Sequence, residues 1–340
     1  MAYTAIDNPE LYFQVKTYTA NNTDSTAITL DGDEDMSPNM CWWKNRDGGY
    51  SHRIIDTVRG VTKILTPDTS AAEATNSNAL ASFDSDGFTV NADGDGYGLN
   101  YANTNKIVAW CWKESATAGF DIVAYTGNGT DDTDISHTLS AVPHLMLVKK
   151  RDDGGAVESW CVYHHKNTSA PETDYLRLDS TAATDDQADR WSDEVPTSSV
   201  FTVGTSDETN RNTSTYINYL WSEKQGFSKF GSYTGNGNAD GAFIYLGFKP
   251  AWFLCKNTQD AGDNWILHDN KRDTFNVTDN GLAPNDSGAE FTDVDMDFLS
   301  NGVKMRNNTG RSNGTSKSFI YMAFAEAPFV NSNGVPCNAR

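Results

Sequence analysis

The chain has no run of 18 or more apolar residues, so nothing in it reads as a membrane span. It has no basic stripe either. Lys and Arg number 26 against 46 Asp and Glu, a net charge of -20; a nucleic-acid binder needs clustered cations to displace counterions from phosphates, so nucleic acid is excluded as a partner. Cysteine is sparse: Cys41, Cys111, Cys161, Cys255 and Cys337 form no Cys-x-x-Cys pair. The first four sit in apolar stretches as small hydrophobes, and disulfides are possible but not needed. There is no His-Glu-x-x-His, no Gly-x-Ser-x-Gly elbow and no phosphate loop. His137, His144, His164, His165 and His268 are scattered. Leucine, glutamate and lysine are scarce, and no stretch keeps a helical period between caps. Residues 1–8 lack a basic region followed by an apolar one, so no signal peptide is read there.

What is present is a sentence said three times. Tyr18-Thr19-Ala20-Asn21, Tyr125-Thr126-Gly127-Asn128 and Tyr233-Thr234-Gly235-Asn236 open the copies, 107 and then 108 residues apart. Pro38, Pro143 and Pro250 follow, each with a lysine six residues on (Lys44, Lys149, Lys256). The copies close on Trp110-Cys111-Trp112-Lys113-Glu114, on Tyr219-Leu220-Trp221-Ser222-Glu223 and on Met322-Ala323-Phe324-Ala325-Glu326. A period near the size of an independent domain predicts tandem domains rather than a solenoid. The expected boundaries are 1–114, 115–225 and 226–329, with 330–340 as a polar arm. Short seams at 115–119 and 224–226 predict a stiff rod or a compact cluster of three.

Abundant Thr, Ser, Asn, Asp, Gly and aromatic residues suit short strands joined by polar turns. The runs after each proline, 40–43, 145–148 and 252–255, are continuously apolar, as strands covered on both faces are. Roughly seven or eight strands per copy predict an all-β protein of three tandem antiparallel β-sandwich domains, jelly-roll-like in style.

Candidate sites are few. Asp56-x-x-Arg59 recurs as Asp269-x-x-Arg272, while the second copy has His164 and Asn167 there. Either the pairs bind something on two domains or they tie a loop to a sheet end as partly exposed ion pairs, each worth about 0–1 kcal/mol. Asp93 and Asp95, with Asp84 and Asp86 nearby, form an oxygen-rich loop suited to calcium or to a plain turn; the full ligand spacing and a closing glutamate are missing. Asp31, Asp33, Glu34 and Asp35 read the same way. Paired carboxylates for glycoside hydrolysis are not singled out by any local motif. Trp191, Tyr97, Tyr101 and Tyr175, placed on turns, are candidates for stacking on sugar rings; core or edge packing is the alternative. No catalytic residue and no cofactor is expected.

Three long strings carry a resemblance: Gly226 to Gly237, Gly247 to Phe253 and Asn264 to Asn276. With residues 298–302 and 319–326 they resemble an uncharacterised repeat domain of marine bacteriophage virion proteins. Residues 56–60 and 83–88 are similar to the opening domain of such proteins, and Asn333 to Arg340 to their ending. The second copy departs most, with no clear glycine before Phe201 to match Gly87 and Gly302. The resemblance implies a non-enzymatic structural protein of the virion, assembled in the bacterial cytoplasm: a tail fibre or tail-associated adhesion component. A capsid decoration or head fibre is the alternative, and a polysaccharide-degrading enzyme a further one. Expected partners are other virion proteins, a host surface glycan or protein, and further copies of the chain, with a homotrimer expected because linked copies raise effective concentration.

Overall fold

The computed structural model describes residues 3–92, 96–102 and 104–337. The first repeat contains β1 (Phe13–Thr19), β2 (Thr26–Ile28), β3 (Met40–Asn45), β4 (Arg53–Asp56), β5 (Lys63–Ile64), β6 (Ala74–Thr75), β7 (Leu80–Phe83), β8 (Phe88–Val90) and β9 (Lys106–Trp112). The second contains β10 (Phe120–Thr126), β11 (Thr133–Ser136), β12 (Leu145–Lys150), β13 (Cys161–His164), β14 (Asp174–Arg177), β15 (Asp185–Asp186), β16 (Val200–Val203) and β17 (Thr215–Trp221). The third contains β18 (Ser228–Thr234), β19 (Phe243–Tyr245), β20 (Phe248–Asn257), β21 (Ile266–Asp269), β22 (Met296–Leu299), β23 (Gly302–Met305) and β24 (Ser318–Pro328). Apart from one 3-10 turn, the helices among the described residues are α1 (Asp207–Asn210) and α2 (Gly310–Asn313), four residues each. The protein is all but entirely β.

Each repeat builds its main antiparallel sheet in one order, with its closing strand inserted between its opening strand and the strand after the proline. The orders are β1-β9-β3-β4, β10-β17-β12-β13 and β18-β24-β20-β21, the second extended by β14 and β15. A smaller sheet accompanies each: β2-β8-β7, β11-β16 and β19-β23-β22. Close backbone approach explains two glycines here. A Cβ on Gly87 or on Gly302 would lie 2.1 Å from the carbonyl oxygen of Ile28 or of Ile244.

Side chains alternate across a strand, so each main sheet has two faces to cover. One face of each turns inward on its own repeat, where Cys41, Trp43 and Phe88, or Met146, Trp191 and Phe201, or Phe253, Ile266 and Met296 form separate cores. The opposite faces meet one another. In register, Val15, Trp110, Trp42 and Ile54 form a row across the first sheet. Ile122, Tyr219, Leu147 and Val162 form the second row, and Phe230, Met322, Leu254 and Leu267 the third. All twelve residues belong to one buried cluster. At its centre the Trp112 ring lies 6.2 Å from that of Trp221 and 5.6 Å from that of Phe324. The continuous apolar runs are therefore covered on both faces, as their sequence predicts. Each repeat thus closes one core of its own, while the second face of its main sheet is covered by the other two.

Candidate functional site: the seams between repeats

Asp56 ends β4 and accepts the backbone N–H of Arg59 (2.8 Å), which fixes the turn that follows. Arg59 folds back, and its Nε donates to Asp56 Oδ2 at 2.5 Å with both side chains fully shielded. Its remaining donors reach the Ile54 and Lys63 carbonyls, Glu73, and Tyr219 of the second repeat. The Tyr219 hydroxyl in turn donates to Asp56 at 2.6 Å. Glu73 also takes a two-pronged bond from Arg151 of the second repeat. Burial opposes ionisation of Glu73, but the Arg151 and Arg59 guanidinium groups outweigh it and hold the carboxyl below its usual range.

The seam between the third and first repeats is built alike. Asp269 caps the turn to Arg272 (2.9 Å) and pairs with its Nε at 2.6 Å. Here the neighbour's donor is the Trp110 indole, 2.9 Å from Asp269. Glu290 joins Arg272 to Arg46 of the first repeat. Burial works against the Asp269 charge too, yet Arg272 and the Trp110 N–H keep its pKa low.

The third seam, between the second and third repeats, replaces the whole set. Met322 stands where Trp110 and Tyr219 do and offers no donor. His164 takes the place of the aspartate: its Nδ1 accepts the Lys166 N–H (3.1 Å), fixing the turn, so its Nε2 carries the proton and donates to the Tyr321 carbonyl (3.1 Å). Asn167 replaces the arginine, Thr184 the glutamate and Thr258 the second arginine; the Thr184 hydroxyl donates to Asn167 at 2.7 Å. One backbone bond marks the equivalence. Glu73 N donates to Arg151 O, Glu290 N to Arg46 O and Thr184 N to Thr258 O. His164, Thr184 and Thr258 thus form a neutral version of the same joint.

Two more triplets run round the ring. Trp160 Nε1 donates to the Thr66 carbonyl of the first repeat, and Trp265 Nε1 to the Arg177 carbonyl of the second. His52, at the same place in the first repeat, accepts from Trp42 on Nδ1 and so donates from Nε2 to Ala283 of the third. The post-proline lysines are buried and capped by carbonyls: Lys44 by Asn45, Gly48 and Ser287, Lys149 by Ser70 and Glu158, Lys256 by Asn257 and Asp263. Burial pulls each of the three down to about 8. With every repeat bonded to both others, the molecule is a closed triangle rather than a rod.

The two ion pairs are therefore fully buried, not partly exposed, because their loops point into a neighbouring repeat. Glu73, Arg151, Glu290 and Arg46 escape detection in the sequence. Their only signal is the repeat offset, and no local motif surrounds them. Two of the aromatic candidates are corrected. Trp191 is 1% and Tyr175 2% exposed, with Trp191 Nε1 bonded to the Asp174 carbonyl and the Tyr175 ring covered by Arg190 at 4.4 Å; both pack in the second repeat's own core or its edge, and neither presents a ring face to solvent. Tyr97 and Tyr101 are half-buried, the first under Arg53 (4.9 Å), the second against Tyr50 (5.4 Å). Asp93 and Asp95 lie outside the described residues. Asp84 accepts from Ser82 and Thr89, and Asp86 from the Met36 N–H. Among the described residues no three His, Cys, Asp or Glu side chains converge as metal ligands.

Hollows open on the surface of the third repeat and at the neutral seam. A groove of about 700 Å³ in the third repeat runs past Phe275, Phe298, Asn270, Asp273 and Glu326. A smaller one of about 320 Å³ lies at the neutral seam, between Lys166 and Asn167 on one side and β18, β24 and Thr258 on the other.

Fold and site define a single-chain, threefold-repeating β protein whose shared side chains serve to join its repeats. The chain belongs to the family described as Domain of unknown function (DUF7483), matched over residues 8–328, a span that takes in all three repeats. No curated protein and no solved structure matches it.

Proposed function

We propose that the chain is a structural protein of a phage virion, built of three sandwich-like modules fused round a common core, and displayed on the tail as a fibre-associated adhesion component. The observation that carries this reading is where the repeated residues lie. The aspartate–arginine pairs, the lysines and the ring-nitrogen donors repeat because they hold three modules rigid, and their donors and acceptors are engaged within the chain. What repetition preserves here is a shape. The resemblance to marine phage virion repeats supplies the setting, and an acidic exterior suits a protein that stays soluble until it docks. Other virion proteins, a host surface glycan or protein, and further copies of the chain are its proposed partners.

A head decoration is the second reading, favoured by the closed triangular arrangement, which offers no shaft. Antibody labelling of intact particles tests both. Label at the tail is the expected result, label over the head facets moves the protein to the capsid, and particles free of label overturn both placements.

A further inference from the structure

We propose that Cys41 and Cys111 form a modification site, a disulfide bond that ties β3 to β9 inside the first repeat when the chain meets an oxidising medium. The inference stands apart from any placement in a virion. The two residues are direct cross-strand partners, and their Sγ atoms lie 3.1 Å apart. That is roughly 1 Å beyond the ~2.05 Å of a disulfide bond. Opposed residues of an antiparallel pair, about 4.5–5.5 Å apart at Cα, also fall within the span that a disulfide bridges. Both side chains are fully buried in the core that the first repeat keeps to itself, so the bond would lie away from every seam.

The other two repeats fill the same place differently. Met146 faces Leu220, and Phe253 faces Ala323. Room for the Trp43 ring in the same core asks only for small side chains here, and alanine would serve, as Ala323 does in the third repeat. Cysteine at both members of one pair is what a bond requires. No rival partner is at hand: Cys161 and Cys255 lie in the cores of the second and third repeats, and Cys337 is exposed. With a glutathione-type disulfide as oxidant, one cysteine thiolate attacks a glutathione sulfur and expels a glutathione thiolate. The other cysteine thiolate then attacks the protein sulfur of this mixed disulfide and expels the second glutathione. Two protein thiols are oxidised, one external disulfide is reduced, and the two thiol protons end on the released glutathiones. Burial pushes the Cys41 thiol up and keeps the oxidant out. The bond therefore forms while this core is open, during folding or local unfolding.

The test uses the full chain carrying Cys337→Ser, which removes the exposed thiol. One sample is incubated folded with oxidised glutathione and another is refolded from urea in its presence; both are then denatured, alkylated, digested and read by mass spectrometry. A peptide joining Cys41 to Cys111 is expected, slowly in the folded sample and promptly in the refolded one, with Cys161 and Cys255 alkylated as free thiols. The bond joins residues 70 apart, so the oxidised chain should melt about 5 °C above the reduced one. That gap should vanish in Cys41→Ala and in Cys111→Ala. Free Cys41 and Cys111 in both samples, a bond to another cysteine or to glutathione alone, no rise in melting temperature on oxidation, or a gap that survives either substitution would each overturn the proposal.

Discussion

At the residue scale, identical charges do different things in different surroundings. The Arg59 side chain has lost all contact with water, and among the described residues its guanidinium is the cation paired with Asp56. Arg59→Ala therefore leaves one carboxylate buried without a counter-charge and should cost about 3–5 kcal/mol. The exposed Asp207–Arg211 pair (side chains 47% and 38% exposed) gives the contrast: Arg211→Ala should stay within about 1 kcal/mol. The chain also contains its own neutral template. Installing Asp56→His, Arg59→Asn, Glu73→Thr, Arg151→Thr and Tyr219→Met together should cost less than Arg59→Ala alone, since no charge is stranded. Urea unfolding of the three proteins checks the order, and a larger loss in the fivefold variant would contradict it.

At the scale of strands and loops, the joint between β13 and β24 differs from the others in how it meets acid. His144, His164 and His165 gather there, with the rings of His144 and His165 4.3 Å apart. Burial, then the other imidazoles, lowers His144 to about 4 and His164 to about 3, and burial lowers His165 as well. Each takes up its proton at a lower pH in the folded chain than at the unfolded value of 6.5. Between about pH 6.5 and 4 the unfolded chain thus holds more protons, and stability falls as pH drops through that window. The carboxylates of the ionic joints respond later, although burial also holds down His52 and His268 beside the joint between the third and first repeats, which shares part of this response. Asp269 and Glu73 have lowered pKa values, so their contribution persists above the unfolded carboxylate range and is lost only below it. Hydrogen exchange at stepped pH should show β13 and the adjoining turn loosening first, and simultaneous loosening of all three joints would refute this.

The same elements show how much was legible in the sequence. The strands after Pro38, Pro143 and Pro250 announce burial on both faces because an unbroken apolar run has no solvent side. The closing strands are equally plain, from Trp110-Cys111-Trp112 and its counterparts. Residues whose sequence suggests a turn are a different matter. Trp191 and Tyr175 sit in polar stretches, yet the loop carrying Trp191 folds back over β14, so neighbours in sequence misreport their surroundings. The pairing of Asp269 with Trp110 joins residues 159 apart. No pattern within one repeat can signal it, because the partner is chosen by the packing of a different repeat. The substitution of His164 and Asn167 was visible as an exception, but its reason, Met322 opposite, belongs to the assembled seam.

At the scale of the whole molecule, three sheets share one dry interior. A repeat cut free would expose a face bearing residues such as Leu145, Leu147, Ile217, Tyr219 and Trp221, each large apolar side chain forfeiting roughly 1.5–3 kcal/mol of burial. Heat should therefore unfold the chain in a single cooperative step, with calorimetric and van't Hoff enthalpies agreeing. Three resolved transitions would instead mean that the private cores suffice.

One property of the ring follows from its unlike joints. Three copies of a single interface would let any copy dock beside any other, including copies from a second polypeptide. Here an aspartate brought against Met322 would find no proton to accept, and a histidine brought against Trp110 would face another donor. Mismatched neighbours are thus penalised by chemistry, which biases each chain toward folding with itself even where identical chains are crowded together.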